Sequence, residues 1–67
     1  MSNPITDVRV DYHNQDGNAF AILGTVGKAM KRAGIEKEIV DQFYKDATSG
    51  DYDHLLDTVH EYVHFDY

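Results

Sequence analysis

The sequence contains no cysteine, no tryptophan, one proline, two serines, and only six lysines and arginines against twelve aspartates and glutamates. Without cysteine, disulfides, thiolate zinc sites and cysteine nucleophiles are excluded. Stability must then come from packing, with or without a partner chain, and a chain this short buries only about 60% of the surface it exposes when unfolded. The serines are Ser2 and Ser49, and no catalytic triad is in view. Ser49 sits in a turn, where a hydroxyl more often caps a helix than attacks a carbonyl. Long apolar runs are absent too. The richest, Ala19 to Val26, is interrupted by Gly24 and Thr25 and falls far short of the roughly 20 residues that a membrane span needs. The opening MSNPITDV lacks the basic and apolar regions of a signal peptide. These absences predict one soluble, cytoplasmic domain over residues 1–67, with residues 1–5 flexible.

What is abundant is negative charge, and it is uneven. From Met1 to Lys37 four acids face five bases; from Glu38 to Tyr67 eight acids face only Lys45. The acidic half repels nucleic acid and attracts basic protein surfaces, because the sign of the summed field steers encounters. Direct DNA or RNA binding is therefore not expected, whereas a basic host protein or nucleoprotein complex is a fitting partner.

Thr6 to Tyr12 alternates Val8, Val10 and Tyr12 with Asp7, Arg9 and Asp11, the period of a half-buried strand. HNQDGN supplies turn chemistry, and Asn18 is a good cap for a helix from Ala19 to about Ala33. Ile22, Leu23, Val26, Ala29 and Met30 share its apolar face, with Lys28, Lys31 and Arg32 opposite. Gly34 is placed to stop it. A second helix is expected over Ile35 to Ala47, where Ile35 and Val40 have the spacing of a hydrophobic staple around Glu36. TSGD breaks the chain, and Asp51 can cap a third helix starting near Tyr52. Tyr52, Leu55, Leu56, Val59, Tyr62 and Val63 cover one arc of about 120° on that helix. Val63, Phe65 and Tyr67 then alternate as in a strand. The expected fold is α+β, in the order β-α-α-α-β, with the terminal strands paired and three helices packed on them. A lone two-stranded ribbon is marginal in water and needs that cover.

Gly24 and Gly27 lie inside the first helix, where each costs roughly 0.8–1.0 kcal/mol relative to alanine. Gly27 borders the apolar face, so close approach of another backbone is the expected reason. GTVGKA is no phosphate loop, since it lacks the G-x-x-x-x-G-K-[ST] spacing and sits where backbone N–H groups are already bonded. Lys28, Lys31 and Arg32 make a small basic face that could touch a phosphate, but read more simply as a solvated helix face; they could equally pair with the acids of a neighbouring helix.

DGNAFAILG (Asp16 to Gly24) and ATSGDYDHLL (Ala47 to Leu56), joined through KAMKRAGIEKE, carry a resemblance. The pattern resembles a group of small phage and prophage proteins of uncharacterised function. In them a D-G-N-A-F-x-I-L-G start leads into a basic helix, an acidic helix and a T-S-G-D-Y-x-H-L-L segment. The resemblance implies a phage-related origin, hence residence in a bacterial host cell, and no particular activity.

Outside that pattern, His60 to His64 reads HEYVH and matches the H-E-x-x-H zinc protease signature. On a helix His60 and His64 would stack about 6 Å apart; on a strand the same residues span about 13 Å and cannot chelate together. A catalytic zinc also needs a third protein ligand, which Asp57, His54 or His13 would have to supply. The simpler reading is surface or partly packed histidines, with a weak metal site or a hydrolase as the alternative. No catalytic residue, metal site or cofactor is assigned, and the chain is not expected to be an enzyme.

Asp53, Asp57 and Glu61 recur every four residues on the polar side of the third helix. Like charges at that spacing destabilise a helix by about 0.2–0.5 kcal/mol per pair. An ordinary solubilising face explains the row without function. The functional reading is a partner-binding surface, with Asp51, Tyr52 and Tyr62 at its margins and Asp46 and Asp66 behind it. The chain would act as an inhibitor of the anti-CRISPR or anti-restriction type, a partial DNA mimic that blocks a basic site. A phage structural or assembly module that self-associates through Phe20, Phe65 and Tyr67 is the third possibility.

Overall fold

The computed structural model describes residues 4–12 and 17–66. Along the chain these form β1 (Arg9–Asp11), α1 (Ala19–Arg32), α2 (Lys37–Ala47), α3 (Tyr52–Tyr62) and β2 (His64–Asp66). β1 and β2 pair in parallel, with Arg9 opposite His64, Val10 opposite Phe65 and Asp11 opposite Asp66. Parallel neighbours need a long crossover connection, and here all three helices form it. The expected β-α-α-α-β order and the pairing of the terminal strands both hold. α1 and α3 contact the ribbon, and α2 packs on α1 and α3 rather than on the strands. Among the described residues no helix is long and apolar enough to cross a membrane.

The helix boundaries follow from local chemistry. Asn18 caps α1 by accepting the Phe20 N–H at 2.8 Å. At the other end Gly34, with φ of +80°, lets the chain turn back so that Gly34 N–H donates to Lys31 O and Ile35 N–H to Met30 O. Those two bonds satisfy carbonyls that the helix end leaves open. Glu36 is the N-cap of α2, without a side-chain cap bond. Ile35 is partly buried against the core and Val40 is fully buried, as a staple around Glu36 requires. Asp51 caps α3 by accepting the His54 N–H at 2.9 Å. His13 to Asp16, the first part of the expected turn, lie outside the described residues, as does Tyr67.

The first strand is shorter than its alternation suggests. Thr6 leaves the ribbon and turns to the C-terminal end of α3, where its N–H and Oγ1 both donate to Tyr62 O, at 3.0 and 2.7 Å. Ile5 N–H donates to Glu61 O at 2.8 Å. Orphan carbonyls at a helix end cost stability if buried unpaired, so this segment is recruited as a cap. Of the five residues expected to be flexible, Met1 to Asn3 lie outside the described residues, but Ile5 is held by this bond.

Ile22, Val26 and Met30 of α1, Val40 and Phe43 of α2, and Leu55, Val59 and Tyr62 of α3 meet Val10, Val63 and Phe65 from the ribbon side in one core. Phe43 and Tyr62 rings meet edge-on at 5.3 Å. Gly27 is buried where a Cβ would overlap the hydroxyl and Cζ of Tyr44. The close approach expected at Gly27 is real, but a side chain makes it and not a backbone.

Candidate protein-binding surface

α3 carries the residues singled out in the sequence, and its caps fix how they are presented. Its N-terminal end is set by a cluster at the α2–α3 turn. Thr48 Oγ1 donates to Tyr44 O and Ser49 Oγ to Asp46 O, each at 2.7 Å, and His54 Nε2 lies 2.8 Å from Asp46 O. Ser49 is thus a capping hydroxyl. His54, a candidate third metal ligand, has its Nε2 engaged with the end of α2.

The HEYVH segment is divided between two elements. His60 lies in the last turn of α3, exposed, with its ring edge-on to Phe65 at 5.8 Å. Val63 switches the backbone to extended geometry (φ −139°, ψ 163°), and His64 opens β2. Among the described residues no group of three or more histidines, aspartates or glutamates is placed to hold a metal ion.

Asp53, Asp57 and Glu61 are all exposed. The helical rise sets them about 6 Å apart, a row about 12 Å long. Asp53, in the first turn, is favoured by the positive end of the helix dipole, while Glu61, in the last turn, opposes the negative end. Asp51 is exposed, with one carboxylate oxygen, Oδ1, accepting the His54 N–H. Tyr52 is 41% exposed and its hydroxyl donates to Gly17 O at 2.6 Å. That bond fixes the ring at the start of the row.

Tyr62 does not belong to this surface. It is 2% exposed, and its hydroxyl donates to Asp46 Oδ2 at 2.7 Å. Burial first, then the Asp46 carboxylate by hydrogen bond and by charge, with a smaller push from Glu61, raise its hydroxyl pKa from 10.0 to about 12. The expected aromatic contact at Tyr62 is therefore replaced by a core role, because the apolar arc that includes Tyr62 is the face α3 turns to Phe43. Asp46 is half-buried in consequence, and Asp66 sits on the ribbon opposite Asp11.

An exposed aromatic lies instead at the other end of α3, beside Tyr52. Phe20 is 81% exposed and, with Tyr52, rims a concavity of about 250 Å³ whose lining includes Leu23, Ala47 and Leu55. The wheel of α1 places Phe20 beside the apolar face without showing that Tyr52, 32 residues later in sequence, comes to lie beside it. Phe65, by contrast, is only 8% exposed. Among the described residues no buried side-chain nitrogen or oxygen lacks a hydrogen-bond partner. The polar groups open to a partner therefore lie on the surface, among them the acidic row beside the Phe20–Tyr52 patch. No protein-family model matches the chain, and neither a curated protein nor a solved structure shows significant similarity to it.

Proposed function

We propose that this chain is a small phage-derived binding protein, without catalysis, that covers a basic nucleic-acid-binding surface of a bacterial host complex. It acts as an inhibitor of the anti-CRISPR or anti-restriction type. What carries the reading is the exposed row of Asp53, Asp57 and Glu61 on one rigid helix, beginning beside the exposed rings of Phe20 and Tyr52. Charge of one sign steers the encounter, while aromatic side chains near a patch centre supply most of the binding energy. The scale fits a local patch. The molecule extends 25 × 25 × 24 Å, and duplex DNA of that length carries about 15 charges. Twelve carboxylates, six of them balanced by bases, imitate a short stretch and not a long duplex.

The test is capture from a bacterial host lysate, with recovered complexes challenged by duplex DNA. Partners displaced by DNA and lost in an Asp53→Lys, Asp57→Lys variant that keeps its circular dichroism support the reading; equal recovery by that variant sinks it. The exposure of Phe20 favours a second reading, a self-associating phage assembly module. Sedimentation showing a dimer that Phe20→Ser abolishes would select it.

A further inference from the structure

On the side of β1 and α1, three of the six basic residues of this acidic chain line one groove. It has a volume of about 560 Å³ and is bounded by Val8, Arg9, Thr25, Lys28, Ala29, Arg32 and Ala33. Lys28 and Arg32 stand one turn apart on α1, about 6 Å along the axis. Arg9 comes across from β1, where Val10 between the two exposed residues Arg9 and Asp11 points into the core. The walls between them are small: Ala29 and Ala33 let an occupant approach the helix closely, and Thr25 adds a hydroxyl one turn away. Lys31, which the sequence groups with Lys28 and Arg32, is sorted out of the groove and lies over the Tyr44 ring at 6.0 Å.

Compensation of the helix dipole accounts for basic residues in the last turn of α1. It does not account for Arg9, which belongs to another element. Among the described residues no ion pair holds Arg9, Lys28 or Arg32, although acids outnumber bases two to one. Arg9 also borders the concavity on the other side of β1, with Asp11 and Asp66; the three like charges that line the groove repel one another, and an anion held between them relieves that repulsion. Guanidinium forks bind phosphate oxygens bidentately, and lysine adds a point charge.

We propose that this groove is a binding site for a small di- or triphosphate group, free or carried by a nucleotide, held by Arg9, Lys28 and Arg32. The site is separate from the acidic row, and its test does not depend on finding a host partner. The experiment is a titration of the full chain with inorganic triphosphate, followed by amide NMR at constant ionic strength, and repeated with a nucleoside triphosphate. The expected result is saturable shifts confined to residues 8–9 and 25–33. Arg9→Ala and Arg32→Ala should each weaken binding about tenfold, with Lys31→Ala within twofold of the parent. Equal affinity for the two probes assigns recognition to the phosphates alone; tighter nucleotide binding assigns it to a nucleotide.

If Arg9→Ala unfolds, Lys28→Gln on the helix exterior serves in its place. The proposal is overturned by the absence of saturable shifts at millimolar triphosphate, or by a Lys31→Ala effect equal to that of Arg32→Ala. It is also overturned if the groove shifts follow protein concentration and not the anion, because a second copy's acidic helix then fills the groove.

Discussion

The Tyr62 hydroxyl in the last turn of α3 donates to Asp46 Oδ2 in α2 at 2.7 Å, a bond between the helix that carries the acidic row and the helix packed beside it. Ionising Tyr62 would bury a phenolate against a carboxylate, which is why its pKa rises to about 12. The folded value lies above the unfolded one, so the neutral phenol is linked to folding. That contribution is complete below about pH 10 and is lost as pH climbs towards 12. Thermal melts should show Tm falling steeply across that window. Tyr62→Phe should be less stable at pH 7 by about 1–2 kcal/mol and should lack the tyrosinate absorbance step that titrates last.

Gly27 tests packing. Alanine there must displace the Tyr44 ring, and overpacking of this kind costs about 1–3 kcal/mol. In a Tyr44→Leu background the same change should cost much less. A double-mutant cycle by urea denaturation with no coupling between the two sites would show that Tyr44 is not what excludes a side chain.

Gly24 and Gly34 have no neighbour within 4 Å of a built Cβ, yet they should respond oppositely to alanine. Gly24 is exposed inside α1, so Gly24→Ala should stabilise by up to about 1 kcal/mol. Gly34 is left-handed, where a side chain costs roughly 1–2 kcal/mol, and Gly34→Ala should lower Tm. Urea midpoints for both variants check the pair of signs.

Glu61 separates stability from function. Glu61→Lys removes a like-charge neighbour of Asp57 and offers the helix end a cation, a gain of about 0.5–1 kcal/mol. The variant should melt higher than the parent while recovering less of the proposed host partner in the capture experiment. A higher Tm with undiminished capture would mean that the row is only a solvated face.

The helices were legible in the sequence because each brings its own period and punctuation: Asn18 and Asp51 as caps, Gly34 as a stop, Ile35 and Val40 as a staple. The acidic row was legible for the same reason, since the wheel that buries Leu55 and Val59 must expose Asp57. Tyr62 was half legible. The wheel puts it in the apolar arc, but only Asp46, arriving from another helix, gives its hydroxyl a buried partner. Thr6 could not be read, because whether it pairs or caps depends on a carbonyl 56 residues away. Nor could the neighbourhoods of Phe20 with Tyr52, or Arg9 with Lys28 and Arg32, which exist only once the helices dock.

The parallel ribbon has a mechanical consequence. Traction applied before β1 and after β2 pulls the two strands past each other, along their length. His64 N–H to Val8 O and Tyr12 N–H to Asp66 O, both 2.8 Å, then bear load together with the rest of the ladder. An antiparallel hairpin pulled from its open end would instead lose its bonds singly, in succession. For a molecule whose stability rests on so small a core, the ribbon is a shear clasp, resisting extension more strongly than its few hydrogen bonds would suggest.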